Sequence, residues 1–224
     1  MDKQQKENEI WGQWITIDNY RNYPALVNTL ADFAGDNILG FVYIDHVLGT
    51  TLEVVKLFNN INGKIKFTDS PLEKEIRVII RYAQFSQTLF QVIHDRFLGD
   101  FEFTKPSYIE SYNRNDLIEF RNNEAFDIYR AEGFPDDVQI ILFANADDDD
   151  KFEPELVWGR VEKYSNTDKL GLYNLLVQPH QNLGVNKNER LSFKLMNVDD
   201  KIRIVSIATL VETKKASKPW WKIW

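Results

Sequence analysis

Ser70-Pro71-Leu72-Glu73-Lys74-Glu75-Ile76-Arg77-Val78-Ile79-Ile80-Arg81-Tyr82-Ala83 carries the strongest local signal in the chain. Ser70 can cap a helix, Pro71 suits the first helical position, and Glu73 stands where a capping box needs it. Leu72, Ile76, Ile79, Ala83, Leu89 or Phe90, Ile93 and Phe97 continue at helical spacing to Gly99. That spacing predicts one long helix over 71–98 with Ile79 and Ile93 in the core.

Upstream, Ile10 to Ile17 is rich in strand formers. Pro24 suits the first turn of a helix whose apolar face is Leu26, Leu30, Phe33 and Ala34, and Gly35 can end it. Ile38 to Asp45 reads as a buried strand. Thr51 to Phe58 and Lys64 to Thr68 flank a loop ending in Asn62-Gly63, the pair a tight hairpin favours. The first hundred residues therefore read β-α-β-β-β-α.

Downstream of Lys105-Pro106-Ser107, short strands are predicted around 108–112 and 117–120, then a helix over 123–132 stopped by Gly133-Phe134-Pro135. Strands follow at 138–144, 156–164, 171–177, 191–196 and 202–210. The prediction is an α+β fold: an N-terminal sheet-and-helix layer packed with a C-terminal, mainly antiparallel curled β-sheet or partial barrel. Its divisions are a flexible N-terminus (1–9), an α+β half (10–105), a mainly β half (106–212) and a basic aromatic tail (213–224).

The 224 residues hold 27 Lys+Arg against 34 Asp+Glu, net −7, which argues against a nucleic-acid coat. A hydrophobic content of 43% supports a sizeable core. Cysteine is absent, so disulfides, cysteine nucleophiles and thiolate zinc sites are excluded. The polar opening lacks the apolar run of a signal peptide, and no stretch approaches the roughly 20 apolar residues of a spanning helix. A cytoplasmic location is the default expectation.

Catalytic signatures are sparse. The chain has no Gly-x-Ser-x-Gly elbow, no phosphate-cradling Gly-x-x-x-x-Gly-Lys loop and no His-Glu-x-x-His pair. His46, His94 and His180 are the three histidines. Asp45-His46 and His94-Asp95 are neighbours in sequence, a spacing that turns two side chains apart on a strand or helix. Asp147 to Asp150, with Glu153 and Glu155, offers carboxylate oxygens to Ca²⁺ or Mg²⁺. It lacks the spacing and glycine of a calcium loop, so the run reads as a solvated connection. No metal or cofactor is expected.

Charge is unevenly placed. Residues 106–212 hold 12 Lys+Arg and 20 Asp+Glu, net −8, while 213–224 hold four lysines and no acid. Lys214, Lys215, Lys218 and Lys222 are interleaved with Trp220, Trp221 and Trp224. Such a tail suits a lipid interface, a partner protein or a groove on its own domain. Pro219 breaks any continuous amphipathic helix and the acidic body repels anionic lipid, so docking onto protein is favoured.

Pro154-Glu155-Leu156-Val157-Trp158-Gly159-Arg160-Val161, then Gly171-Leu172-Tyr173-Asn174, Pro179, Leu183-Gly184 and Leu191-Ser192-Phe193, resembles the YegJ-like group of bacterial domains of unknown function. Phe126-Asp127-Ile128-Tyr129 and Pro135-Asp136-Asp137-Val138 resemble larger bacterial proteins that end in such a unit. This chain has Ile204-Val205-Ser206 where the group carries an Asp-Trp pair. The resemblance implies a bacterial origin and a small β unit, and it carries over no catalytic residue. Within that stretch Trp158 is expected in the sheet core and Glu155 near the strand's start. The candidate binding residues are Glu155, Trp158, Trp220, Trp221 and Trp224. The leading expectation is a non-enzymatic binding module, accessory or immunity-type, with a basic protein partner. The rival is a small-molecule enzyme using His94, His180 and acidic residues between the halves.

Overall fold

The computed structural model describes residues 7–68, 70–93, 103–145, 152–198 and 201–210. The protein is mainly β: a curled, half-barrel sheet in one unit and a closed five-stranded barrel in the other. The first unit comprises 1–114 with 132–135, the second 115–131 with 136–224.

In the first unit the strands β1 (Trp14–Ile17), β2 (Asn37–Asp45), β3 (Gly49–Ile61), β4 (Lys64–Phe67), β5 (Ile79–Arg81) and β6 (Phe90–Ile93) form one sheet in the order β4-β3-β2-β1-β6, with β5 also on β3. β2 alternates apolar residues on both faces. Ile38 and Val42 join Ile15, Leu26, Leu30 and Phe85 on one side, while Leu39, Phe41 and Tyr43 join Trp14, Val55 and Ile109 on the other. A strand covered on both faces needs no polar alternation, which is why Ile38 to Ile44 reads as a continuous apolar run. Helix α1 (Pro24–Thr29) begins on its proline and buries Leu26. The β3–β4 hairpin turns through Asn62 and Gly63, both at positive φ (52° and 75°), as the Asn-Gly pair predicts.

The long helix over 71–98 is overturned for the described part of that range. Ser70 spends its hydroxyl on the Val55 carbonyl, 2.7 Å away, instead of capping. Leu72–Lys74 is a single 3₁₀ turn, and Glu75 ends it in the left-handed region at φ 58°. Ile79-Ile80-Arg81 then form the strand β5, pairing with Glu53, Leu52 and Thr51 of β3. Three β-branched residues in a row fill a pleated surface better than a helix. Period two wins over period 3.6: Val78 and Ile80 are buried and Ile79 is only half-buried. Helix α2 (Tyr82–Phe85) is one turn. Residues 94–98 lie outside the described residues.

Two further expectations are corrected. Ser107–Tyr112, expected as a strand, is a 3₁₀ turn whose Ile109 packs on the first unit's sheet. Ile118–Arg121 is a helical turn, α3, where a strand was expected, and 123–132 shortens to the 3₁₀ turn Glu124–Tyr129, capped by the Asn123 side chain. Both segments present apolar residues three apart (Leu117, Phe120; Ala125, Ile128), a spacing that short turns satisfy as well as longer elements.

In the second unit, after β7 (Arg130–Ala131), come β8 (Phe134–Phe143), β9 (Glu155–Ser165), β10 (Leu170–Leu175), β11 (Arg190–Val198) and β12 (Lys201–Leu210). β8 to β12 form an antiparallel meander, closed where β12 pairs in parallel with β8. The expected strands at 138–144, 156–164, 171–177, 191–196 and 202–210 fall on these five. The expected curled sheet or partial barrel is a closed barrel. Its interior holds Val138, Ile140, Val161, Tyr173, Phe193 and Ile204, and Leu117, Phe120 and Phe126 join the same core. Gly171 pairs with Tyr164 on one side and Phe193 on the other, and those two rings stack across it, 6.1 Å apart at 2°. Two rings fit into so narrow a barrel because the strand between them carries no side chain there. No helix among the described residues is long and apolar enough to cross a membrane.

Candidate binding face

Residues of each barrel strand alternate between inward and outward positions. On β8 the inward residues are Val138, Ile140 and Leu142, all fully buried, so Asp137, Gln139, Ile141 and Phe143 face out. On β9, Val157, Gly159 and Val161 are buried, which turns Leu156, Trp158 and Arg160 outward. On β12, Ile204, Ser206 and Ala208 are buried, leaving Arg203, Val205 and Ile207 outside.

The register places these outward residues side by side. Ile141 pairs with Leu156 on one side and with Val205 on the other, and Phe143 pairs with Ile207. Gln139 pairs with Trp158 in the next row. The outcome is a continuous apolar surface across β9, β8 and β12. Leu156 is 60% exposed and Ile207 53%, whereas Ile141, Phe143, Val205 and Trp158 are half-buried. Exposed apolar residues scattered singly need no explanation; contiguous ones on one wall do.

One margin of this wall is charged. Arg160 forks onto Asp137 with bonds of 2.7 and 2.8 Å from Nε and Nη2. Hydrogen bonding to that carboxylate, opposed by desolvation, raises the Arg160 pKa and fixes its charge. Asp136, the preceding residue, points the other way and takes the Arg121 fork at 2.8 and 2.7 Å. Consecutive aspartates on a strand thus each hold an arginine on opposite faces.

Trp158 is not in the sheet core. Its neighbour Gly159 takes the inward position, where an added Cβ would lie 2.2 Å from the Tyr173 ring. Tyr173 fills the space the Trp158 indole was expected to occupy, and the indole faces out beside Gln139. Glu155 is committed elsewhere: its oxygens accept the backbone N–H groups of His180 (2.7 Å) and Gln181 (2.6 Å). Desolvation alone would raise its pKa, but the amides of Gln181 and His180 outweigh that and hold the carboxyl below the usual range. Glu155 is therefore an anchor for the loop between β10 and β11. Trp220, Trp221 and Trp224 lie outside the described residues, as do Asp147 to Asp150 and His94. Among the described residues no group of three or more His, Asp or Glu is placed to hold a metal ion.

A second polar cluster lies in the first unit. The Glu53 side chain is fully buried, and its Oε2 accepts from Arg77 Nε at 3.0 Å. Arg77 also donates to the Tyr43 hydroxyl at 2.6 Å and the Tyr112 hydroxyl at 3.2 Å, and its guanidinium lies 4.5 Å from the Tyr108 ring centre. The Tyr108 hydroxyl and Glu53 Oε1 are sealed from solvent without reaching hydrogen-bond geometry. Burial pushes the Tyr43 phenol up to about 12, and burial together with Glu53 drives Tyr108 still higher. Phenols held so far from neutral pH are poor proton shuttles. The cluster works as a clamp that holds Ser107–Tyr112 on the sheet.

Sequence reasoning missed Leu156 and Ile207 as surface residues, although a signal was present. Leu156-Val157-Trp158 and Ile140-Ile141-Leu142-Phe143 are apolar at both parities, which a sheet with one face in water does not require. No family model, no curated protein and no solved structure matches the chain.

Proposed function

We propose that the protein is a non-enzymatic bacterial interaction module, of accessory or immunity type, that binds a protein partner through the outer wall of its barrel. The observation that carries this reading is the register-aligned apolar surface of Ile141, Phe143, Leu156, Val205 and Ile207, with Trp158 beside it. Its composition fits an interface, where aromatic and aliphatic anchors form the centre and charged groups the rim. A chain of net −7 favours a basic partner, whose encounter it would accelerate by steering. The resemblance of residues 154–193 to the YegJ-like domains and the absence of cysteine support a bacterial, cytoplasmic setting.

The test uses the full chain as bait in its native host, beside a Leu156→Asp/Ile207→Asp variant. Both sites are exposed, so the variant keeps the barrel. A protein captured by the wild type is purified and titrated against both chains. Placing two carboxylates at the centre of the interface weakens binding by about 100-fold or more, at roughly tenfold for each 1.4 kcal/mol lost. Equal affinity of the two chains for that partner refutes the assignment of this wall.

A further inference from the structure

We propose that in the free protein the barrel wall is covered in cis by the chain's own C-terminal segment, Lys214 to Trp224, which acts as a built-in competitor of the partner. The inference rests on the reading of the wall as the binding face and adds its regulation.

Three observations point to this occupant. The first is where β12 leaves the barrel. Ile207, in the apolar wall, is three residues before the end of β12 at Leu210, so the segment departs from the wall itself. Trp220 is ten residues beyond Leu210, a reach of up to about 33–36 Å when extended. From Phe143 to Gln139 the wall spans four residues of β8, about 13 Å, and three strands cover about 10 Å in the other direction. The chain can double back and cross the whole surface. The second observation is chemical fit. Trp220, Trp221 and Trp224 are three large apolar anchors in five residues, and Leu156 and Ile207 are the most exposed apolar residues of the wall. Pro219 favours an extended approach over a helix.

Charge is the third. The segment carries four lysines and no acid, whereas residues 106–212 carry 12 Lys+Arg against 20 Asp+Glu, net −8. β12 runs parallel to β8 and leaves the barrel at the same end, where β9 begins and Glu153 is exposed. The segment thus has the same two properties as the partner proposed above, positive charge and apolar anchors. A short tether holds it at an effective concentration of about millimolar, so even a weak intrinsic affinity closes the face. If the face is open about one-tenth of the time, removing the anchors tightens partner binding about tenfold.

Methyl NMR on the full chain tests this, comparing the wild type with a Trp220→Ala/Trp221→Ala/Trp224→Ala variant whose changes lie outside the barrel. In the wild type, the methyls of Ile141, Leu156, Val205 and Ile207 should carry ring-current displacements. These vanish in the variant, while Ile61 and Ile65 of the β3–β4 hairpin stay in place. The displacements should be independent of protein concentration. Wall methyls that do not move overturn the inference. Displacements that fade on dilution overturn it too, because they mean that the segment docks on a second copy. Anionic vesicles that abolish them in the wild type overturn the competitor role by making lipid the preferred occupant. The readouts separate the two proposals: unmoved methyls with partner binding still lost in Leu156→Asp/Ile207→Asp defeat only cis coverage, and moved methyls with undiminished partner binding in that variant defeat the function and the competitor role that rests on it while cis coverage stands.

Discussion

Asp136→Ala is the substitution expected to cost most for the atoms it removes. The Asp136 side chain is 2% exposed and that of Arg121 11%, and the fork between them closes at 2.7 and 2.8 Å. Deleting the carboxylate leaves a guanidinium in a site where water cannot replace the lost partner. Breaking one side of a buried pair costs about 3–5 kcal/mol, most of it the penalty of the stranded charge. For a chain of this size 1 kcal/mol moves the midpoint by about 2–4 °C, so the barrel should melt about 6–20 °C lower. Arg21 and Asp36 supply the contrast. They form a 2.8 Å ion pair of the same chemistry, but their side chains are 44% and 58% exposed. Asp36→Ala should lie within about 1 kcal/mol of the wild type.

Thermal melts followed by circular dichroism give the midpoints, and hydrogen exchange of β8 and β9 peptides localises the loss to the barrel. A paired change, Asp136→Leu with Arg121→Met, separates charge from packing: removing both members of a buried pair together is close to neutral when the volume is kept. Asp136→Ala melting alongside Asp36→Ala would refute the argument, because it would show water reaching the Arg121 site. A paired variant as weak as the single one would refute the charge explanation and leave lost packing in its place.

Two other outcomes follow from the same reasoning. Ile80→Ala should destabilise the first unit by about 2–5 kcal/mol and Ile79→Ala by clearly less, since Ile80 is fully buried and Ile79 half-buried; urea unfolding that ranks them the other way would restore a helix through this segment. Glu7 accepts from the Thr50 hydroxyl and the Gly133 N–H, yet burial raises its pKa above the ordinary 4.5. The folded chain therefore binds this proton more tightly than the unfolded one, and the group's contribution to stability falls as pH rises through the raised value. Measured against Glu7→Gln, the wild type should gain stability as the pH is lowered through that value toward 4.5, and a difference between the two that stays flat with pH would contradict the shift.

The second unit was more legible than the first, and the reason is the number of signals per strand. β8 to β12 each combine β-branched or aromatic residues with a polar turn on either side, and sequence neighbours in a meander are also spatial neighbours. The segment 71–83 instead satisfied two periods at once. Leu72, Ile76, Ile79 and Ala83 are spaced for a helix, while Val78 and Ile80 are spaced for a strand. What decided between them was β3, which offers Thr51, Leu52 and Glu53 as pairing partners from some 28 residues upstream. Local reading has no access to that partner. Nor did it anticipate Arg77, whose place between Glu53, Tyr43, Tyr108 and Tyr112 depends on three separated elements.

The proposed binding face was half legible for a related reason. Apolar residues at both parities of β8 and β9 announce two covered faces, but only closure shows that one of them is the outside of a barrel. Trp158 was misplaced inward because a large indole is usually core, and the glycine beside it gave the deciding clue: Gly159 is inward so that Tyr173 can be. Closure also limits how such a wall can be used. β12 and β8 satisfy one another's backbone along 205–207 and 141–143, so this stretch offers no open edge for an added strand. A partner docking there would be met by side chains alone, and the ones available are aliphatic rows with an indole and an Asp137–Arg160 fork at the margin. That set suits a partner, or a segment, that brings its own aromatic anchors and positive charge.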